Sequence, residues 1–242
     1  DGFFECDILF QNNWIPIFVA GTGDASIQMP EGAGHVLKKG TQLTVQLHLL
    51  NATIDEVTET VPLRFHRMKE APQQEVQVVV FGSMNINLPP NQASEVVGDC
   101  QSDSDMKIFS VFPHMHLMGR SLAMKTGSNE DTMVEVFRRE PYVFDDQSLS
   151  PIALDIKTGD AVEVTCGYEN PLDETVGFGE STTSEMCFLI GFATGANNDL
   201  AGCIDTTSSS LLPEGCGDDP PNELGLGAPC TKGGGECENG FL

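Results

Sequence analysis

Short apolar runs bounded by turn-forming residues recur along this chain, while helical periodicity is almost absent. Residues 42–50, 77–81, 107–112, 133–137, 161–166 and 187–192 have the length and composition of strands. Turn signals lie between them: Lys39-Gly40, Pro89-Pro90-Asn91, Thr126-Gly127, Thr158-Gly159 and Asn170-Pro171. This punctuation predicts an all-β chain of sandwich type. The polar segment Glu70-Ala71-Pro72-Gln73-Gln74 separates two β units, over 1–71 and 72–203. After Cys203 the chain turns Ser-, Gly- and Pro-rich, so 204–242 reads as an irregular, Cys-bearing tail or linker.

Length and charge narrow the function. A chain of 242 residues with 40% hydrophobic content can bury a substantial core. The formal charge of -24, from 36 acidic and 12 basic residues, lacks the basic footprint that nucleic acids or anionic lipid surfaces require. No apolar run approaches the ~18 residues of a membrane helix. The chain opens on Asp1-Gly2-Phe3-Phe4, without an initiator Met, and is expected to be processed or cut from a longer protein. Its eight cysteines contain no Cys-x-x-Cys pair and read as disulfides in an oxidising compartment, hence a secreted, extracellular or periplasmic protein.

The candidate chemistry centres on Phe112-Pro113-His114-Met115-His116-Leu117-Met118-Gly119. In an extended segment His114 and His116 point to one side, with Phe112 and Met118, while Val111, Pro113, Met115 and Leu117 form an apolar, core-like side. Two imidazoles on one face can grip a metal ion, or they can be ordinary hydrogen-bonded histidines. A thioether would complete a set suited to copper, particularly Cu(I). Met186, in Ser184-Glu185-Met186-Cys187, and Met118 are the two candidates. Met118 is nearer in sequence, but two residues of strand carry it about 7 Å onward. In 43–49 the odd positions are apolar and expected to face a core, which turns Gln46 and His48 the other way. There is no GxSxG, Walker loop or HExxH motif.

Val45-Gln46-Leu47-His48, His114-Met115-His116-Leu117-Met118-Gly119 and Thr182-Thr183-Ser184-Glu185-Met186-Cys187 together resemble the type II copper, ascorbate-dependent monooxygenases. These are the peptidylglycine α-hydroxylating and dopamine β-hydroxylating enzymes and their bacterial relatives, among which this chain is expected to fall. The resemblance covers roughly residues 10–205. It implies two jelly-roll-like β-sandwich domains facing a solvent-filled cleft, each holding one copper. His114, His116 and Met186 match the ligands of the oxygen-binding copper. His48 matches one ligand of the other copper, and Gln46 matches a neighbouring position. The family's adjacent His-His pair does not occur in the sequence, so the resemblance implies a first domain lacking its start, or a lost electron-transfer copper. It also implies the disulfides Cys166–Cys187 and Cys100–Cys203, with Cys6 matching a cysteine whose partner lies upstream.

Peptide-amidating members hold a peptide carboxylate with Arg, Asn and Tyr. The matching positions here are Phe112, Phe188 and Ile190. An apolar pocket cannot pair a carboxylate, so a neutral or apolar small-molecule substrate is expected. The activity implied is hydroxylation of a C–H bond with O2, electrons coming from ascorbate or another small reductant. Two other functions are weighed against it: a non-catalytic secreted copper-binding or adhesive sandwich, and a metal-free carbohydrate-binding sandwich.

Overall fold

The computed structural model describes residues 15–21, 23, 25–47, 54–58, 60–197 and 202–205. The described residues contain no α-helix, only one short 3-10 turn at Glu130–Thr132. The chain is all-β, as its apolar periodicity predicts. Twelve strands form in chain order: β1 (Ala33–Gly34), β2 (Gln74–Ser83), β3 (Asn87–Leu88), β4 (Gln92–Gln101), β5 (Met106–His114), β6 (Gly119–Gly127), β7 (Val134–Arg139), β8 (Ser150–Ile156), β9 (Ala161–Asn170), β10 (Val176–Gly177), β11 (Cys187–Thr194) and β12 (Gly202–Asp205).

Two sheets make the sandwich. One has six strands in the order β1-β2-β11-β5-β8, with β12 pairing in parallel with β2. The other has four, in the order β4-β9-β6-β7, all antiparallel. Alternation sorts the residues of β2, β5 and β11 cleanly between two cores. Val79, Phe81, Val111, Cys187, Leu189 and Ala193 point inward, towards Leu122, Met124, Val162 and Val164 of the second sheet. Val76, Val78, Val80, Phe112, Phe188, Ile190 and Phe192 point outward and are covered by Val19, Ile27, Met29 and Ala33. β11 and the second half of β2 are buried on both faces, which is why they read as nearly unbroken apolar runs.

Among the described residues two disulfides form, and both cross between the sheets. Cys166 of β9 bonds Cys187 of β11, and Cys100 of β4 bonds Cys203 of β12. Such bonds fit an oxidising compartment, extracellular or lumenal. At Gly82, opposite Phe188, φ is +144° and a Cβ would collide with the Cys187 carbonyl, so only glycine lets β2 pass this close to the Met186–Cys187 segment. No helix among the described residues is long and apolar enough to cross a membrane.

Two sequence expectations that bear on the candidate site differ from the structure. Residues 41–47 form no strand, and Leu43, Val45 and Leu47 are 46–50% exposed rather than facing a core. Alternation supplies half of a sheet; a strand also needs a hydrogen-bonding neighbour. The second difference follows His116, where the chain turns and Gly119 N–H donates to the His116 carbonyl at 3.2 Å. The turn exposes Leu117 and drives Met118 into the inner core, off the histidine face.

Candidate metal centre

β5 ends at His114, where it pairs with Phe188 of β11. Continuing that register by two residues would set His116 opposite Met186, but the ladder stops. The His-x-His segment therefore sits where one strand leaves its sheet and the segment leading into its neighbour arrives. His114 is partly buried and His116 is 3% exposed. Their rings lie edge to face with centroids 5.2 Å apart. Phe112 stacks on His114 at 6.0 Å, and Phe144 meets His116 edge-on at 6.3 Å.

Each imidazole is oriented through Nδ1. His114 Nδ1 lies 2.8 Å from Gln147 Oε1, and His116 Nδ1 lies 2.9 Å from the Ser184 carbonyl. Both partners are acceptors, and in this network each Nδ1 carries the proton and donates it. In the neutral ring Nε2 is then the lone-pair nitrogen. This is the outer-shell arrangement of metal-ligating histidines, in which the second nitrogen is tied to a carbonyl or carboxylate. Gln147 is itself buried and held by its Nε2–H bond to the Phe144 carbonyl at 3.1 Å.

The two thioethers part company. Met186 is 1% exposed and belongs to the outer core with Phe112 and Phe188, on the face that carries His114. Met118 belongs to the inner core. The Met186 main chain is fixed by the Tyr168 hydroxyl, which donates to its carbonyl at 2.7 Å, and by the Cys187–Cys166 bridge one residue on. Among the described residues no group of three or more His, Cys, Asp and Glu gathers to hold a metal. Two imidazoles and a thioether are a different set, and their chemistry fits copper.

The main chain between the histidines is clasped from two sides. Tyr142 Oη accepts from Met115 N–H at 2.9 Å and donates to the Met115 carbonyl at 2.6 Å. Glu185, with no exposed surface, accepts from His116 N–H at 2.9 Å and Met118 N–H at 2.6 Å. Burial pushes the Glu185 carboxyl up to about 7, against the opposing pull of its backbone hydrogen bonds. Burial also raises the Tyr142 and Tyr168 hydroxyls, with the nearby Glu185 charge adding to both.

The positioning groups Gln147, Tyr142, Tyr168 and Glu185 were not singled out from the sequence. Only Glu185 left a signal: a carboxylate set directly against an apolar strand. Phe112, Phe188 and Ile190 are 2%, 3% and 5% exposed and form an apolar floor beside His114. Gln46 is partly buried, and His48 and Cys6 lie outside the described residues.

A family model described as "Copper type II ascorbate-dependent monooxygenase, C-terminal domain" matches residues 74–213, and the chain belongs to that family. Among curated proteins, the human "Putative DBH-like monooxygenase protein 2" is 24% identical over 207 residues, covering 76% of this chain. The chain spans 41% of that relative's length. Two solved structures of infectious bursal disease virus, the VP2 subviral particle and the Gx strain, overlap 55% and 58% of this chain and 36% and 39% of theirs. Their identities are 10% and 8% and their TM-scores 0.22 and 0.23, a likeness that carries no argument.

Proposed function

We propose that this chain carries the oxygen-binding copper centre of a monooxygenase that hydroxylates a C–H bond using O2 and a small reductant such as ascorbate. His114, His116 and Met186 would hold the metal. The observation that supports this most is the pair of Nδ1 contacts, 2.8 Å to Gln147 and 2.9 Å to Ser184, which assign the lone pairs of both rings to Nε2. Bound copper would supply the one-electron chemistry with O2 that side chains lack, and a thioether favours its reduced state.

The remaining tasks fall to the chain's own groups. Gln147 and the Ser184 carbonyl keep the ring protons on Nδ1. Phe112, stacked on His114, and Phe188, opposite it in the ladder, exclude water from one side of the pair. With Ile190 they offer no charge to a carboxylate, which favours a neutral or apolar substrate. Domains over 1–71 and 72–203, followed by a tail over 204–242, fit a two-copper protein whose electron-transfer site includes His48, near Gln46. Secretion, or export to a periplasm, fits the disulfides.

The test measures copper stoichiometry together with reductant-driven O2 uptake. His114→Ala and Met186→Ala are expected to abolish uptake, and unchanged uptake in both would defeat the site assignment. A second reading, a non-catalytic copper-binding sandwich, is favoured by one observation: the family match is to the C-terminal domain alone, at 74–213. It predicts bound copper without uptake, even when the upstream part of the protein is supplied.

A further inference from the structure

Glu185 is the only buried carboxylate among the described residues. Burying a carboxylate costs several kcal/mol unless its oxygens are well satisfied. Here both oxygens receive backbone N–H groups of the His-x-His turn, Oε2 from His116 and Oε1 from Met118. Those N–H groups need acceptors because the β5–β11 ladder ends at His114–Phe188, two residues short of His116. The side chain takes the place of the missing strand.

Glu185 also has a fixed base. Its N–H donates to the Gly177 carbonyl at 3.0 Å, and its carbonyl accepts from Gly179 N–H at 3.2 Å. The next residue is Met186, whose carbonyl is held by Tyr168. One side chain thus joins the segment bearing the thioether to the turn bearing the imidazoles. Glutamine would be a poor substitute, because its amide turns a donor towards one of two N–H donors.

We propose that Glu185 is a positioning residue that sets the His-x-His turn against the Met186 segment, so that the donor set is assembled before copper arrives. The inference rests on the donor assignment made above. Its test uses the full chain, with Cu(I) alone as the probe. Cu(I) affinity is read by competition, the Cu–S and Cu–imidazole shells by X-ray absorption, and amide exchange at His116 and Met118 in the metal-free protein. Glu185→Gln is expected to lower Cu(I) affinity by about 10–100-fold, the usual effect of losing an outer-shell partner. It should also weaken the Cu–S shell while imidazole scattering persists, and speed exchange at both amides.

Glu185→Asp keeps the carboxyl group but, one methylene shorter, cannot reach both N–H groups at once. It should fall between wild type and Glu185→Gln, and it carries the test if the latter does not fold. The core variant Phe81→Ala supplies the contrast: a destabilised protein whose folded fraction keeps its Cu–S shell. If the Glu185 variants behave like Phe81→Ala, with lowered Tm and intact Cu–S, the positioning role is overturned. If wild type itself shows no Cu–S shell, the donor assignment fails first and takes the inference with it.

Discussion

The six-stranded sheet is apolar on both faces, yet the faces have different neighbours. The inner face, with Phe81, Val111 and Leu189, packs against a second sheet and is tied to it by two disulfides. The outer face, with Phe112, Phe188, Ile190 and Met186, lies under an extended segment around Val19, Ile27 and Met29. Among the described residues of that covering segment only Ala33–Gly34 pairs with the sheet. The inner face is a structural core, whereas the outer face would floor the metal centre proposed above. Hydrophobicity alone does not separate them; His114 at the end of β5 and Met186 ahead of β11 do.

The largest effect should come from the inner face. Phe81→Ala removes a side chain that is 2% exposed, and should cost about 3–5 kcal/mol in denaturant unfolding. Copper stoichiometry of the folded fraction should not change. Loss of copper at small cost in stability would break the division between the faces. Next in size is the bridge that joins the sheets beside Met186. Replacing Cys166 and Cys187 with alanine opens a crosslink of 21 residues' separation and should lower stability by about 3 kcal/mol. Because Cys187 follows Met186, this variant should also weaken the Cu–S contact, which Phe81→Ala leaves intact.

A volume-conserving change on the outer face sharpens the contrast. Met186→Leu should cost less than about 1.5 kcal/mol in stability, because the buried site is filled almost equally. It should nevertheless remove the Cu–S shell and reductant-driven O2 uptake. A variant that keeps uptake would show Met186 to be packing alone.

Parts of this arrangement were legible in the sequence for physical reasons. β11 announces itself because burial on both faces leaves almost nothing polar in it. β4 is hard to read because its outward residues mix the charged Glu95 and Asp99 with the 43% exposed Val97. Thr126-Gly127 reads as a turn, yet it closes β6, where the Thr126 hydroxyl bonds the Ala161 carbonyl inside the sheet. His114 and His116 stand out through residue type and spacing, whereas Met186 is separated from its rival Met118 only by the family resemblance. The supports of the histidines do not stand out, since Glu185 reaches His116 across 69 residues and Gln147 reaches His114 across 33. Residues 43–47 show the converse, an alternation that no neighbouring strand among the described residues completes.

The smallest predicted effect lies at the rim, away from both faces. Asp105 precedes β5, and its carboxylate accepts from the Thr158 N–H at 2.9 Å and hydroxyl at 3.0 Å and from Lys157 Nζ at 3.2 Å, in the turn joining β8 to β9. These donors hold its carboxyl below the ordinary 3.8, the Thr158 backbone bond most strongly. A carboxylate whose folded pKa is depressed stabilises the fold above its unfolded pKa, and that contribution fades as pH falls through the folded value. Asp105→Asn should therefore lower Tm slightly near neutral pH, and the gap from wild type should close as pH drops below about 3.8. The group is solvent-exposed, so screening keeps the effect small and added salt should shrink it further. Copper binding should be indifferent to the change. A gap that widened on acidification would mean that the rim contact acts through packing of the β8–β9 turn rather than through charge, and would tie the rim to the inner face.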